Sequence, residues 1–167
     1  MRKYKLLNFI FILPISLYAQ NAITESTVKK LFNSNRVEKH NGKFMLPSDK
    51  SWNFNNVDSL YYKQDTITAI LYKSTKHKSL CEMVNWTFYR KNAFIKGKES
   101  ICKEPPQRSV TKNPDDYFEI AFYNVAKETM IDVLRYDKMI VESFKVLNIF
   151  ESEEFTEIKL ARRFNAN

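Results

Sequence analysis

Hydrophobic and polar residues alternate with a period of two through most of the chain beyond residue 50. Successive side chains of a strand point to opposite faces, so this alternation predicts strands with one buried face. Abundant β-branched and aromatic residues in the same segments favour strands over helices. The strands predicted in this way are Trp52–Phe54, Thr66–Tyr72, Phe118–Phe122, Met130–Leu134 and Met139–Leu147.

A helical period occurs once, near the start of the chain. Val28, Leu31 and Phe32 recur at helical spacing, and Thr24 or Ser26 is suited to cap the first turn. The pattern predicts one short helix over residues 24–34.

Three further segments complete the prediction. Residues 155–162 alternate and are predicted as a closing strand, although Ser152 and the acids after it also fit the start of a helix over 152–162. Residues 127–134 keep helix as an alternative. The proline-rich segment 103–116 is predicted as a surface loop, because proline removes a ladder donor. The fold class is therefore mainly β, with an antiparallel meander closing into a barrel or half-barrel and a short N-terminal helix.

The first nineteen residues have the pattern of a secretory signal peptide. Three basic residues precede a mostly apolar run over 6–17, and Ala19 offers a small residue at the cut, with Ala22 as the alternative. The run is too short to span a bilayer. Residues 20–167 are then a single β-rich domain, and we expect a periplasmic or secreted protein.

Cys81 and Cys102 are the only cysteines, and an exported pair predicts a disulfide. If Lys91-Asn92 is a two-residue turn, counting outward places the two cysteines opposite each other. In a non-hydrogen-bonded pair their Cα atoms lie roughly 4.5 Å apart, within disulfide range. Two free thiols or an intermolecular bridge remain the alternative.

The same register assigns the two faces of this hairpin. One face is predicted to be core, with Gly97 directly across from Trp86; its apolar members are Val84, Trp86, Phe88, Ile95 and Ile101. The other face is predicted to be mostly solvated; its members include Met83, Asn85, Thr87, Lys96 and Lys98.

Composition limits the chemistry. The chain has two glycines, Gly42 and Gly97, so glycine-rich phosphate loops are excluded. It has two histidines, His40 and His77, which leaves little for a zinc site or a histidine-based triad. Acidic residues cluster on polar segments where carboxylates are solvated. We therefore predict no catalytic residue, no metal and no cofactor.

Charge is uneven along the chain. Residues 73–112 carry ten basic and three acidic groups, whereas residues 113–167 carry seven and eleven. A basic stretch in an exported protein suits an acidic protein partner or an anionic membrane surface, and nucleic acid is not expected outside the cell. The alternative is a solvated face that maintains solubility.

Three short motifs give a resemblance to a known group. Trp52-Asn53-Phe54, Trp86-Thr87-Phe88 and Leu160-Ala161-Arg162 resemble the strands of small exported lipocalin-like domains of the calycin group, over roughly residues 45–162. Lysine at position 50 replaces the glycine of the lipocalin opening strand. The resemblance implies a barrel or half-barrel with an internal ligand site.

The aromatic residues predicted to line that site are Trp52, Phe54, Tyr61, Trp86 and Phe88. Ordinary core packing is the alternative for these rings. The sequence thus favours an exported, non-enzymatic binding domain for an apolar or amphiphilic small ligand. The alternative function is a periplasmic inhibitor or immunity-type protein that binds a protein partner.

Short modification patterns are also present. Ser59 and Thr66 each follow an aspartate and precede an apolar residue, as in acceptors of periplasmic O-glycosylation, and Asn85-Trp86-Thr87 fits the N-glycan acceptor pattern.

Overall fold

The computed structural model describes residues 23–37, 39–40, 43–44, 50–74, 80–109 and 116–165. The predicted signal peptide lies outside these residues. The helices are α1 (Glu25–Ser34) and α2 (Leu60–Lys63), the latter directly preceded by a 3-10 turn (Val57–Ser59). The strands are β1 (Lys39–His40), β2 (Lys43–Phe44), β3 (Trp52–Asn55), β4 (Thr66–Tyr72), β5 (Glu82–Arg90), β6 (Ala93–Ser100), β7 (Gln107–Ser109), β8 (Tyr117–Val125), β9 (Glu128–Leu134), β10 (Ile140–Glu151) and β11 (Phe155–Asn165).

Eight antiparallel strands close into a barrel, which confirms the predicted fold class. Their order around the ring is β5-β3-β4-β11-β10-β9-β8-β6, and β5 pairs with β6 to complete it. The short strand β7 extends the ladder of β6 beyond the point where β8 pairs. A closed eight-stranded barrel is consistent with a lipocalin-like fold.

The strand order follows the chain except at one place. β3 lies between β4 and β5 and pairs with both. As a result the two Trp-x-Phe strands are neighbours, with Trp52 opposite Trp86 and Phe54 opposite Val84. Both tryptophan side chains point into the barrel and are fully buried.

The predicted strands and the predicted first helix lie where the hydrophobic periodicity indicates them. The strand at 155–162 is confirmed within β11, and the helical alternatives for 152–162 and 127–134 are wrong, since both segments are ladder strands. The predicted loop at 103–116, of which residues 110–115 lie outside the described part of the chain, needs one correction. Residues 107–109 form β7, because an edge strand tolerates the prolines that precede it.

Helix α1 closes one end of the barrel, which we call the α1 end. Thr24 caps it as predicted, accepting a hydrogen bond from the backbone N–H of Thr27. Phe32 is fully buried, with its ring centroid 4.9 Å from that of Trp52. Asn33 and Asn92 bind each other through two hydrogen bonds of 2.8 and 2.9 Å, which fix the helix to the β5–β6 turn. The opposite end of the barrel carries α2 and is called the α2 end.

The predicted register of the β5–β6 hairpin is wrong by one residue. The turn is at Lys91-Asn92, as expected, but the ladder shifts between Phe88 and Arg90, so Tyr89 is an extra residue on β5. Trp86 therefore lies opposite Lys96 rather than Gly97. This shift turns every following side chain of β6 to the other face.

The two faces of the hairpin are corrected accordingly. Phe94 and Lys96 face inward beside Trp86, whereas Ile95 and Gly97 share the outer face with Asn85 and Thr87. The outer face of β5 is also not solvated. Its three predicted polar-face residues Met83, Asn85 and Thr87 are all buried. Asn85 donates a hydrogen bond of 2.7 Å to Asn53 on β3, so these amides are paired out of contact with water.

The disulfide between Cys81 and Cys102 is present, with Cα atoms 5.1 Å apart. Because of the shifted register, the two residues are offset by one position instead of lying directly opposite. The backbone N–H of Ile101 donates to the carbonyl of Cys81 at 2.9 Å, which brings the ends of β5 and β6 together. The bridge therefore fastens the open end of the hairpin at the α2 end.

Candidate functional site

The five residues predicted to bind a ligand lie together. Trp52 and Phe54 come from β3, Trp86 and Phe88 from β5, and Tyr61 from α2, and each is fully buried. The Phe54 ring centroid is 4.8 Å from that of Trp86 and 5.2 Å from that of Tyr61. Their role as ligand contacts stays a prediction.

Towards the α1 end these rings pack as a solid core. Trp86 stacks on Phe94 with centroids 4.6 Å apart, and Phe32 reaches Phe88 at 5.6 Å and Phe122 at 5.8 Å. These separations are those of rings in direct contact. The described surface grooves, of 1030, 610 and 320 Å³, are lined by other residues. The interior near α1 is therefore filled by the chain's own side chains.

Towards the α2 end the interior becomes charged. Lys96, Glu142 and Arg162 meet Tyr61 inside the barrel, and we call these four residues the interior cluster. The Tyr61 hydroxyl donates to Glu142 Oε2 at 2.6 Å, and Lys96 Nζ donates to Glu142 Oε1 at 3.2 Å. Arg162 Nη1 lies 3.8 Å from Glu142 Oε1. The exposed fractions of the Lys96, Glu142 and Arg162 side chains are 14%, 3% and 8%.

Strand register explains why charged side chains point inward. Lys96 lies opposite Trp86 because of the extra residue at Tyr89. Glu142 lies opposite the buried Val133 on β9, after a second irregularity between Ile140 and Glu142. Arg162 lies opposite the buried Phe144. The Arg162 pairing also follows a register shift, between Ser143 and Phe144. Irregularities in the barrel ladders thus accompany the inward position of all three side chains.

The cluster carries two cations and one carboxylate. Burial lowers the pKa of Lys96, and the Glu142 carboxylate partly opposes that shift. Burial raises the pKa of Tyr61 well above 10.0, and the charge of Glu142 raises it further. Within the described residues, Arg162 Nη1 is buried without a hydrogen-bond partner. The site therefore has a cationic hydrogen-bond donor that no acceptor of the described residues satisfies.

Residues 56–65 cross the α2 end between β3 and β4, and we call them the α2 strap. Arg162 donates from Nη2 to the carbonyl of Tyr61 and from Nε to that of Gln64, the latter at 3.4 Å. Asp58 and Ser59 have left-handed backbone angles, with φ of 51° and 63°, which few residues other than glycine adopt. The strap is thus a strained loop whose one fully buried side chain, Tyr61, enters the barrel.

Sequence reasoning missed most of the cluster. Lys96 was predicted on the solvated face, Arg162 entered only through the Leu160-Ala161-Arg162 resemblance, and Glu142 was not singled out. A signal was present for Glu142, which interrupts the apolar run from Met139 to Leu147. A charged residue at an inward position of such a run indicates a polar interior.

The basic stretch 73–112 does not form one continuous charged face in the described parts of the barrel. Lys96 is inside, Arg90 pairs with Glu119 at 3.5 Å, and Lys103 lies 3.7 Å from Glu82. Binding of an anionic membrane surface stays a prediction. Asn85 of the N-glycan pattern is 1% exposed, which is incompatible with a glycan on the folded barrel.

Two features are absent from the residues that the structure describes. No group of three or more histidine, cysteine, aspartate and glutamate side chains is arranged there to hold a metal ion. None of the described helices combines the length and apolar character needed to cross a bilayer. In comparisons with known proteins, no family model, no curated protein and no solved structure matches the chain.

Proposed function

We propose that this chain is an exported, non-enzymatic binding domain that takes a small amphiphilic ligand at the α2 end of its barrel. The ligand's apolar part contacts the aromatic wall of Phe54 and Trp86. Its polar head contacts Lys96, Glu142 and Arg162. The observation that carries the proposal is the position of the interior cluster, inside a closed barrel and beneath a single strap.

The energetics support a functional role for the cluster. Removing charged groups from water costs several kcal/mol per ion, and apolar residues of similar size often stabilise a fold at least as well. A buried trio of Lys96, Glu142 and Arg162 is therefore a poor way to stabilise a barrel that already has an aromatic core. Charged groups held at unfavourable positions are typical of binding and catalytic sites.

Two features support export. The N-terminal pattern is that of a signal peptide, and the Cys81–Cys102 disulfide fits an oxidising compartment. The same pair of features agrees with a periplasmic or secreted location.

Native mass spectrometry of the purified protein tests the proposal. We expect a bound small molecule of discrete mass that organic extraction removes. Lys96→Met is expected to lose this adduct, because the substitution removes one cation of the cluster. Lys91→Met is the matched control, since Lys91 is exposed at the β5–β6 turn, at the opposite end of the barrel. Equal adduct in both variants, or none in the natural protein, contradicts the proposal.

A protein partner is the second candidate function, and the exposed apolar residues at the β9–β10 turn favour it. Tyr136, Met139 and Ile140 are exposed by 57%, 59% and 44%, on the rim of the α2 end. Clusters of this kind mark interaction sites. A partner that the natural protein binds and a Tyr136→Ser/Met139→Ser variant does not would support this function. Phe150→Ser, at an exposed position on β10, is the control and is expected to retain binding.

A further inference from the structure

The side chain of Tyr61 occupies a complete binding site for a phenol ring. Its hydroxyl donates to the Glu142 carboxylate at 2.6 Å, a charge-assisted hydrogen bond. Lys96 Nζ and the Arg162 guanidinium lie 5.5 and 5.4 Å from the ring centroid, within cation–π range. Phe54 meets the ring edge-on at 5.2 Å. Every part of the ring thus has a specific partner.

The strands that carry the walls of this site do not depend on the strap that fills it. Phe54, Lys96, Glu142 and Arg162 are on four different strands of the closed barrel, namely β3, β6, β10 and β11. Each strand is held by ladders on both sides. If Tyr61 withdraws, these four residues therefore keep their places in the barrel, and the Arg162 guanidinium is released from the Tyr61 and Gln64 carbonyls.

The α2 strap, in contrast, belongs to no strand of the barrel. Its helix has four residues, and the left-handed Asp58 and Ser59 before it are exposed. At its start, the backbone N–H of Asn56 donates to the Glu82 carbonyl at 2.9 Å, and Lys98 Nζ lies 5.3 Å from the Tyr62 ring centroid. Besides the Tyr61 side chain, Arg162 holds the rest of the strap, through the carbonyls of Tyr61, Gln64 and Asp65. Strained, exposed segments of this kind open at low free energy.

We propose that Tyr61 is a built-in substitute for the ligand. This inference rests on the proposed function and specifies its ligand: the head group is an aromatic ring that carries a hydroxyl, and it enters by displacing Tyr61 and the strap. The ligand hydroxyl takes over the hydrogen bond to Glu142, and its ring takes over the contacts with Lys96 and Arg162. Each contact that Tyr61 loses is thus replaced by a contact of the same kind with the ligand.

The first experiment removes the substitute. Tyr61→Ala leaves a cavity of the shape of a phenol ring, and 4-ethylphenol and ethylbenzene are titrated into it by calorimetry. We expect 4-ethylphenol to bind at least tenfold more tightly, because only the phenol satisfies Glu142. Tyr72→Ala is the matched control, since Tyr72 is a buried tyrosine outside the barrel core and its loss is expected to create no preference.

A second substitution tests the origin of the preference. In the Tyr61→Ala background, Glu142→Gln is expected to reduce the preference for 4-ethylphenol to less than threefold. If ethylbenzene already binds Tyr61→Ala as tightly as 4-ethylphenol, the head-group inference is wrong and the proposed function is untouched. If folded Tyr61→Ala binds neither probe, the inference is wrong, and the adduct in native mass spectrometry alone decides the proposed function.

Hydrogen exchange tests displacement in the natural protein. We expect 4-ethylphenol to increase amide exchange over residues 60–65 in a saturable way, with exchange over α1 unchanged as the internal control. If amide exchange over residues 60–65 is unchanged at 4-ethylphenol concentrations that saturate the Tyr61→Ala variant, the ligand does not displace the strap.

Tyr61→Phe provides a variant that keeps the ring and the packing. Without the hydroxyl, the strap loses its hydrogen bond to Glu142, and we expect amide exchange over residues 60–65 to become about tenfold faster without any probe. If the exchange rate is unchanged in this variant, the Tyr61–Glu142 hydrogen bond does not hold the strap in place. This test remains decisive if Tyr61→Ala fails to fold.

Discussion

At the scale of single residues, Tyr89 has a large effect on what the barrel contains. It is one extra residue on β5, and it shifts the partner of Trp86 from Gly97 to Lys96. A one-residue shift moves a whole strand face from one side of the sheet to the other. The cation beside the core tryptophan therefore follows from a single insertion in the ladder.

The hydroxyl of Tyr61 gives an alkaline signature. Its pKa in the folded protein is above 10.0, so at higher pH the unfolded chain loses this proton first. The folded state then binds more protons than the unfolded state, and stability falls as the pH rises above about 10. The loss amounts to about 1.4 kcal/mol per pH unit until the pKa of the folded state is reached.

We expect Tyr61→Phe to remove this contribution. Urea unfolding at pH 9 and pH 11 should show a smaller loss of stability in the variant than in the natural protein. Burial lowers the pKa of Lys96, which makes stability rise with pH in its own window, and this slope is present in both proteins. If stability depends on pH identically in the two proteins, the alkaline loss of stability does not come from Tyr61.

The Phe32 ring is the largest contribution of α1 to the core. Phe32→Ala removes a fully buried side chain that contacts Trp52, Trp86, Phe88 and Phe122. We expect the free energy of unfolding to fall by about 3–5 kcal/mol in urea titrations. Phe150→Ala at a half-exposed position is the control, with an expected change of about 0.5 kcal/mol. A similar loss in both variants would show that α1 does not seal the barrel.

At the scale of elements, the strongest predictions came from alternation. β4 matches its predicted bounds at both ends, and β11 contains the predicted closing strand. Alternation shows which side chains share a face. It is therefore sufficient to predict a strand and its buried face where the ladder is regular. It cannot show a bulge, because the extra residue at Tyr89 changes only the pairing and leaves the local pattern intact. The outer-face burial of Met83 and Asn85 was also not predictable, since burial on the outer face of a barrel strand has no local signature.

The β5–β6 hairpin depends on its disulfide. Cys81 and Cys102 are separated by 21 positions, and closing a loop of this length stabilises a fold by about 3 kcal/mol in the chain-entropy description. We expect the Cys81→Ser/Cys102→Ser variant to unfold at correspondingly lower urea concentration. Reduction of the natural protein with dithiothreitol should give the same shift. A midpoint unchanged by either treatment contradicts the expectation.

At the scale of the whole molecule, ring closure is the central feature. β11 pairs with β10 on one side and with β4 on the other, so it joins the two halves of the barrel. The sequence predicted a barrel or half-barrel but did not distinguish them, because pairing between distant strands leaves no local pattern. The site has the same limitation, since Lys96, Glu142 and Arg162 meet only after closure.

Removal of the closing strand tests this description. A chain that ends at residue 154 lacks β11 and leaves the edges of β4 and β10 unpaired. We expect it to show no cooperative thermal transition by circular dichroism, since an open ring exposes its aromatic core to water. A truncation at residue 165 keeps all of β11 and is the control. A cooperative transition in the shorter chain would show that the barrel folds without closing.

The pairing of β11 with β4 also sets the order of events in folding. Leu160 pairs with Ile67, so β4 meets this partner only after β5, β6, β8, β9 and β10 have been synthesised. Contacts between such distant segments form slowly. The ladder that turns the open sheet into a ring is therefore the slowest one to assemble.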